Sequence, residues 1–280
     1  MHPMLGEGIP RTQSAIRYRF PMAIEVSRFC VTPVKGMALL HPQQVLLDGS
    51  GIAENRRFHL IDEDGELFSG YDLGTLVAIR ASWEPGTERM TIEFPDGDAC
   101  SGDAAALGEP VTTMFYGKRQ VPGHVLEGPW ATEISSHIGR RVRLVRSDRA
   151  GDGPDMHPLT IVSQASVGEL ARRAGREDDL DSRRFRVNLE LEGCSAHEED
   201  TWADQLLRVG EAVLRVLGPI PRCVVTTQDP RTGVKDFDTL RQIAAYRPRI
   251  EGDGGLPFGM YARVEIPGVA RVGDAVEPTA

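Results

Sequence analysis

The sequence predicts a β-rich α+β protein in two parts. Short apolar runs of strand length, separated by Gly, Asp and Pro turn signals, dominate the first half. Helical periodicity is confined to a few short segments. A stretch rich in Gly, Pro and Asp, SDRAGDGPDMHP at 147–158, interrupts the pattern. It marks the predicted boundary between a first domain, 23–147, and a second domain, 148–280.

In the first part, the apolar runs predict strands at 24–31, 43–48, 56–62, 76–82 and 89–94. The run FHLIDEDGELF predicts a hairpin whose turn carries Asp64-Gly65. Residues 130–139 predict a helix that ends at Gly139, and 141–146 predict a strand. The first 22 residues are expected to form a flexible leader.

In the second part, 159–163 predict a strand that leads into a helix at 164–175. We expect strands at 183–191, 223–227 and 258–266, a hairpin over 206–218 around Gly210-Glu211, and a helix over 238–246. No internal repeat or low-complexity tract interrupts this order.

Composition limits the class of function. A hydrophobic content of 40% and a charged content of 26% are typical of a soluble globular protein. The net charge of −9 argues against a nucleic-acid partner. No apolar run reaches membrane-helix length, and no signal-peptide pattern is present, so neither a membrane partner nor secretion is expected and we expect a cytoplasmic address.

The four cysteines, Cys30, Cys100, Cys194 and Cys223, are expected to be reduced in a cytoplasmic chain. Cys223 differs from the others in the segment that precedes it. Pro219 and Pro221 fix the backbone φ angle there, and Arg222 is its immediate neighbour. A cationic environment lowers the pKa of a thiol and favours the thiolate, which is the nucleophile and the metal ligand. A buried structural cysteine and a ligating thiolate both remain open from these residues alone.

Basic residues outside the predicted helices form a second group of candidates. Lys35 lies in TPVKG, Arg56 follows the turn GIAEN, and Arg183, Arg184 and Arg186 crowd one predicted strand. Any one of them could be solvated surface. Arg186 and Asn188 are predicted on one strand face, where guanidinium and amide groups suit phosphate or carboxylate ligands. The sequence contains no GxSxG, P-loop or GxGxxG motif.

Several fragments, in order, resemble a known family. TPVKG resembles YPVKS, GIAENRRF resembles G-x-x-x-D-R-x-W, and RFRVN resembles FRPN. EGC, EEDTWAD, YRP and PFGMY match further pieces, and PRCVVTTQDPRTG resembles the signature RC-x-x-TT-x-D-P-x-TG. Over about residues 24 to 278 the chain resembles a MOSC protein, the molybdenum cofactor sulfurase C-terminal type, with its N-terminal domain. The resemblance implies an N-terminal β-barrel domain packed on a C-terminal MOSC β-barrel with peripheral helices.

The resemblance also implies a cofactor. In members similar to the mitochondrial amidoxime-reducing component, the signature cysteine ligates molybdenum, which a pterin dithiolene with a terminal phosphate carries. Cys223 would then be the catalytic residue and the molybdenum ligand. The implied binding residues for the molybdenum cofactor (molybdopterin) are Lys35, Gly36, Arg56, Arg186, Asn188, Arg222 and Tyr261. Pyridoxal phosphate binding is a family-level description to which no residue of this chain is assigned.

The implied function is a molybdenum-dependent oxidoreductase that reduces small N-hydroxylated compounds. No C-x4-C-x2-C ferredoxin motif is present, so a separate electron-donor protein, a ferredoxin or a flavoprotein reductase, is expected. Two alternatives stay open: a sulfurtransferase that carries a persulfide on Cys223, and a non-catalytic cofactor carrier. The chain departs from the family pattern at Gly36, Asn55, Phe58, Val187 and Pro221.

Overall fold

The protein is described by a computed structural model that covers residues 23–176, 180–252 and 254–279. The predicted leader, 1–22, lies outside the described residues. Strands dominate and helices are few, which confirms the β-rich α+β prediction. The strands are β1 (Glu25–Phe29), β2 (Gln44–Asp48), β3 (Gly51–Ile52), β4 (Phe58–Ile61), β5 (Leu67–Phe68), β6 (Arg80–Glu84), β7 (Arg89–Glu93), β8 (Ala99–Asp103), β9 (Leu107–Phe115), β10 (Arg119–Leu126), β11 (Arg143–Ser147), β12 (Leu159–Ser163), β13 (Leu189–Glu192), β14 (Leu206–Val209), β15 (Ala212–Arg222), β16 (Leu256–Ile266), β17 (Gly268–Arg271) and β18 (Val276–Thr279). The helices are α1 (Trp130–Ile138), α2 (Gln164–Arg173) and α3 (Thr239–Ala244).

A seven-stranded sheet in the order β1-β13-β12-β16-β15-β14-β18 forms a nearly closed barrel. We call this sheet the barrel. Its first strand comes from the start of the described chain, since β1 pairs antiparallel with β13, with Phe29 opposite Leu189. In the same way, β2 pairs with β17 in a separate three-stranded sheet. Strands near the beginning of the described chain therefore pair with strands from its second half in both of these sheets.

The remaining two sheets form what we call the N-lobe. One sheet has the order β5-β4-β11-β10-β9 and the other β6-β7-β8, and α1 packs against them. The apolar core of the N-lobe lies between these elements. Its largest fully buried side chains include Trp130, Phe58 and Leu60. A further cluster around Phe185, Phe258 and Ile243 packs α2 and α3 against the barrel.

Several local predictions are confirmed. The β4–β5 hairpin pairs Leu60 with Phe68 around a turn in which Gly65 has φ +82°, the left-handed region that glycine adopts without a steric cost. Helix α1 ends at Gly139, also left-handed. β14 and β15 pair Val209 with Ala212 across the predicted two-residue turn. Turn chemistry and periodicity were sufficient for these elements because their contacts are local.

The predicted strand at 183–191 is wrong in its first half. Residues Ser182–Phe185 form a 3₁₀ turn, Arg186 has φ +51°, and the strand begins only at Leu189. Asp181 explains the turn, because its carboxylate accepts a hydrogen bond from the backbone N–H of Arg183 at 3.0 Å. Arg186 and Asn188 therefore do not share a strand face.

The predicted strand at 223–227 is also wrong, because Val224–Thr227 form a 3₁₀ turn. The hydroxyl of Thr226 donates to the carbonyl of Cys223 at 2.9 Å, and that of Thr227 donates to the carbonyl of Val224 at 2.7 Å. These local side-chain bonds favour a turn over an extended conformation. The strand expected at 76–82 begins at Arg80, after a 3₁₀ turn over Gly74–Ala78.

The N-lobe docks on the barrel through close backbone contact. A Cβ atom added to Gly74 would lie 2.2 Å from the carbonyl oxygen of Gly233. Beside this contact, the amide of Gln228 donates to the carbonyl of Gly70 at 2.9 Å. Only glycine permits such an approach, so the two loops are fitted to each other at this point.

We expect Gly74→Ala to destabilise the protein by about 1–3 kcal/mol, because the methyl group forces the two backbones apart. Urea unfolding measures the change. Gly86→Ala is the matched control, since nothing lies within 4 Å of a Cβ at that position. Equal stability of the two variants would contradict the docking contact.

Candidate functional site

One cleft, with a cavity volume of about 130 Å³, lies where the N-lobe, the segment before β12 and the barrel meet. The structure brings all eight sequence-predicted site residues together in its wall. They come from positions as far apart as Lys35 and Tyr261. The lining includes Lys35, Gly36, Arg56, Tyr71, Tyr116, Asp155, His157, Thr160, Arg184, Arg186, Asn188, Pro221, Arg222, Cys223 and Tyr261.

Cys223 lies at the end of β15 and begins the 3₁₀ turn, with an exposed side chain. The pairing of β15 with β16 is irregular here, with register shifts on both sides of Pro219. Proline lacks a backbone donor and is tolerated where a ladder is interrupted. Cys30, by contrast, is buried, and burial raises the pKa of its thiol. Cys223 is therefore the thiol placed at the cleft rather than in a core.

Arg222 is held by neutral acceptors. Its Nε donates to the carbonyl of Phe258 at 2.6 Å and its Nη1 donates to the carbonyl of Phe185 at 2.9 Å. The guanidinium also stacks over the ring of Phe185, 5.4 Å from the centroid. Nη2 is buried and has no hydrogen-bond partner among the described residues. Burial lowers the pKa of Arg222 to about 10, because the protein surroundings disfavour the charged form.

Arg56 and Arg186 adopt an uncommon backbone conformation. Both have positive φ, as does Tyr116. Six non-glycine residues of the described chain have positive φ, and these three of them line the cleft. Such residues cost about 1–3 kcal/mol each and tend to cluster at functional sites. Arg56 Nη2 donates to the carbonyl of Arg186 at 3.2 Å, and Arg186 Nη2 donates to that of Met37 at 2.6 Å. Burial and the neighbouring Arg56 lower the pKa of Arg186 to about 10.

Lys35 is almost fully buried, with 4% of the residue exposed. Its ammonium donates to the carbonyl of Gly153 at 3.0 Å and forms an ion pair with Asp155. Burial lowers the pKa of Lys35 to about 8, although the Asp155 carboxylate opposes this shift. Partial desolvation of Asp155 would raise its pKa, but Lys35 and Arg56 outweigh this effect and lower the value to about 2. Asp155 is therefore ionised at neutral pH.

Asn188 and Tyr261 shape the cleft beside the cations. The Asn188 amide donates to the carbonyl of Cys30 at 3.3 Å and accepts from the hydroxyl of Thr160 at 3.0 Å. Through these two bonds, Asn188 links Cys30, which follows β1, to Thr160 on β12. Tyr261, on β16, packs edge-on against His157 with 4.8 Å between the ring centroids. Hydrogen bonds hold Asn188 and ring packing holds Tyr261, so both give the cleft a defined wall.

Arg184 has a supporting contact that the sequence did not assign. The residue is 3% exposed, and its guanidinium makes two 3.1 Å hydrogen bonds to the carboxylate of Asp236. Nη1 also donates to the carbonyl of Thr226 at 3.2 Å, in the turn that follows Cys223. A bidentate pair of this type fixes geometry as well as charge. Arg184 therefore holds the turn from behind and contributes little uncompensated charge to the cleft.

The charges in the cleft wall do not balance. Of the five basic side chains in the wall, Arg184 is already paired with Asp236. The other four are Lys35, Arg56, Arg186 and Arg222, and Asp155 is the one carboxylate among the described lining residues. A buried cation without a counter-ion is costly, and this excess favours an anionic ligand. An unpartnered Arg222 Nη2 adds a free donor. The site therefore has the chemistry for an anion placed beside an exposed thiol.

Two family models match this chain. The MOSC domain matches residues 148–277, and the MOSC N-terminal beta barrel domain matches residues 23–122. The chain belongs to the MOSC family.

Curated relatives match parts of this MOSC protein. Mitochondrial amidoxime reducing component 2 is 38% identical in Rattus norvegicus and 40% identical in Homo sapiens, over 129 residues in each case. These matches cover 44% of this chain and 37% of each relative. Molybdenum cofactor sulfurase 3 of Aedes aegypti is 24% identical over 282 residues, covering 92% of this chain and 36% of that protein. The chain thus spans little more than a third of the length of these relatives.

Among solved structures, the YUAD protein from Bacillus subtilis aligns with a TM-score of 0.43 at 11% identity, covering 91% of this chain and 94% of that one. None of the helices in the described part of this MOSC protein combines the length and apolar character that a membrane span requires.

Four of the departures from the MOSC pattern lie at well-packed positions in the structure. Gly36 has φ +92°, and a Cβ there would lie 3.0 Å from the backbone nitrogen of Gly70, so a serine would be strained. Asn55 replaces an aspartate but still accepts from the backbone N–H of Thr32 at 3.2 Å. Phe58 replaces a tryptophan and packs edge-on against Trp83 at 5.2 Å. Val187, in place of proline, is buried.

The pKa of Lys35 provides a test of the cleft's electrostatics. The chain has three lysines, so ¹³C-methylation of their amines gives few NMR signals. We expect the Lys35 signal, assigned by its loss in Lys35→Arg, to titrate near pH 8, and its charge to be lost as the pH rises through that value. Asp155→Asn should lower the midpoint, because the carboxylate stabilises the ammonium. A midpoint at the ordinary value of 10.5 would refute the buried cationic cluster.

Proposed function

We propose that this MOSC protein is a molybdenum-cofactor-dependent oxidoreductase that reduces small N-oxygenated compounds with electrons from a separate protein donor. The observation that supports this most is the convergence of Cys223 with Lys35, Arg56, Arg186 and Arg222 in one cleft. The names of the mitochondrial relatives support the amidoxime substrate class. A cytoplasmic location remains a prediction from the sequence.

The residues present fit an anionic metal-carrying pterin. The Cys223 thiolate is the soft donor that would hold molybdenum. Lys35, Arg56 and Arg186 would hold the phosphate, and Arg222 would offer its unpartnered Nη2. Gly36, Asn188 and Tyr261 would form the walls against which the pterin packs. When bound, the cofactor supplies the two-electron redox chemistry that no protein side chain here provides.

The chain's own contribution is binding and orientation. Removing the oxygen of an N-hydroxyl group takes two electrons and two protons and releases water. The electrons come from the donor protein and the protons from solvent, which reaches the exposed Cys223. The Arg184–Asp236 pair holds the turn after Cys223 through the carbonyl of Thr226, so the thiol keeps a fixed direction. Fixed positioning of this kind is how a protein tunes a bound cofactor.

A second candidate function is sulfur transfer by a persulfide on Cys223. Cys223 is the one cysteine of the four that is exposed, which favours a thiol that meets a partner or a small sulfur donor. A relative named molybdenum cofactor sulfurase matches most of this chain. The basic cleft around the thiol is more extensive than a persulfide alone requires, so we rank this function second.

We expect the purified protein to contain equimolar molybdenum and pterin, and Cys223→Ala to lose most of the molybdenum, because the thiolate is the protein's ligand to the metal. Elemental analysis and pterin fluorescence measure the two contents. Cys100→Ala, which changes a half-buried cysteine of the N-lobe, is the control and should retain both.

The loaded protein should reduce an amidoxime or a hydroxylamine with an artificial electron donor, and Cys223→Ala should not. Metal-free protein with cyanide-releasable sulfur on Cys223 would refute the reductase and support sulfur transfer. Full molybdenum loading without any reduction would instead indicate a cofactor carrier.

A further inference from the structure

The segment between β11 and β12 places a carboxylate at the cleft. Asp155 forms an ion pair with the buried Lys35, yet 49% of its side chain is exposed. The carboxylate therefore covers the ammonium on one side and faces solvent on the other. The sequence indicated only a domain boundary in this stretch, and no family motif includes Asp155.

The backbone that carries Asp155 is firmly seated on the N-lobe. Arg119 Nη2 donates to the carbonyls of Asp152 and Pro154, each at 2.6 Å. Gly153 lies so close to Arg56 that an added Cβ would come within 1.7 Å of the Arg56 carbonyl oxygen. The carbonyl of Gly153 also accepts from Lys35 at 3.0 Å. The side chain of Asp155 can thus leave Lys35 by rotation while its backbone stays in place.

The charge imbalance gives this carboxylate a role. Asp155 is the sole carboxylate in the described cleft wall, which holds four basic side chains besides Arg184, itself paired with Asp236. Lys35, Arg56 and Arg119 all stabilise the ionised form of Asp155. An incoming anion must compete with a carboxylate tethered at a high effective concentration. A monoanion gains little from that exchange, whereas a dianionic phosphate can interact with Lys35 and Arg56 together.

We propose that Asp155 is an internal counter-ion of the anion site at Lys35. Because every incoming anion must displace this carboxylate, the site selects for multiply charged groups such as a phosphate monoester. The identification of that group as the phosphate of a pterin rests on the proposed function. The competition itself does not, because it concerns any phosphate that enters the cleft.

The test is calorimetric titration of inorganic phosphate into the cofactor-free chain. We expect Asp155→Asn to bind phosphate about tenfold more tightly than the unchanged protein, because the competing charge is gone. Asp152→Asn is the matched control: this carboxylate lies on the same segment, 3.9 Å from Arg119, outside the cleft wall, and its loss should leave the affinity unchanged. Lys35→Met should abolish binding.

Unchanged or weaker phosphate binding by Asp155→Asn would overturn the proposal, and so would equal tightening in Asp152→Asn, which would indicate a general effect of net charge. Asp155→Ser replaces Asp155→Asn if the latter does not fold by circular dichroism. Absence of molybdenum from the purified protein would count against the proposed function alone. An unchanged phosphate affinity in Asp155→Asn would count against the counter-ion alone.

Discussion

The cations of the cleft are held mainly by neutral carbonyl oxygens rather than by carboxylates. The positive charge of the site depends on these neutral hydrogen-bond partners. Arg222 donates to Phe258 and Phe185, and Arg186 donates to Met37. A carbonyl fixes a guanidinium through its dipole but leaves the net charge uncancelled. The cleft thus keeps a positive potential inside a chain whose net charge is −9. Arg184, which pairs with Asp236, shows the contrasting case of a cation used for structure.

Holding those cations requires both parts of the structure and a strained backbone. Arg56 and Arg186 reach their carbonyl partners from left-handed conformations, and Gly36 has a positive φ beside them. Such conformations persist only where surrounding packing fixes them. The near contact of Gly74 with Gly233 provides part of that packing. Because the cleft wall is shared between the N-lobe and the barrel, docking of the two determines whether the basic residues meet at all.

The sequence predicted the elements with clear turn residues or periodicity, and it missed the 3₁₀ turn after Cys223 and the place of Asp155 in the cleft. Periodicity and turn residues predicted the β4–β5 hairpin and α1, and the family resemblance named eight of the residues that line the cleft. The turn after Cys223 was missed because Val224 and Val225 favour strands, whereas threonine hydroxyls and Arg184 stabilise the turn. No sequence pattern indicated a role for Asp155, because its ion pair with Lys35 forms only when two segments distant in sequence come together.

The two halves of the signature PRCVVTTQDPRTG have different structural roles. Its first half, through Thr227, presents Cys223 and Arg222 to the cleft. In its second half, Asp229 accepts from the backbone N–H groups of Arg231 and Thr232, at 3.0 and 2.9 Å, and shapes the loop that places Gly233 against the N-lobe. A change in the first half therefore acts on the thiol directly. A change in the second half acts through the position of the N-lobe, and so through Lys35 and Arg56, although it lies closer in sequence to Cys223 than to either of them.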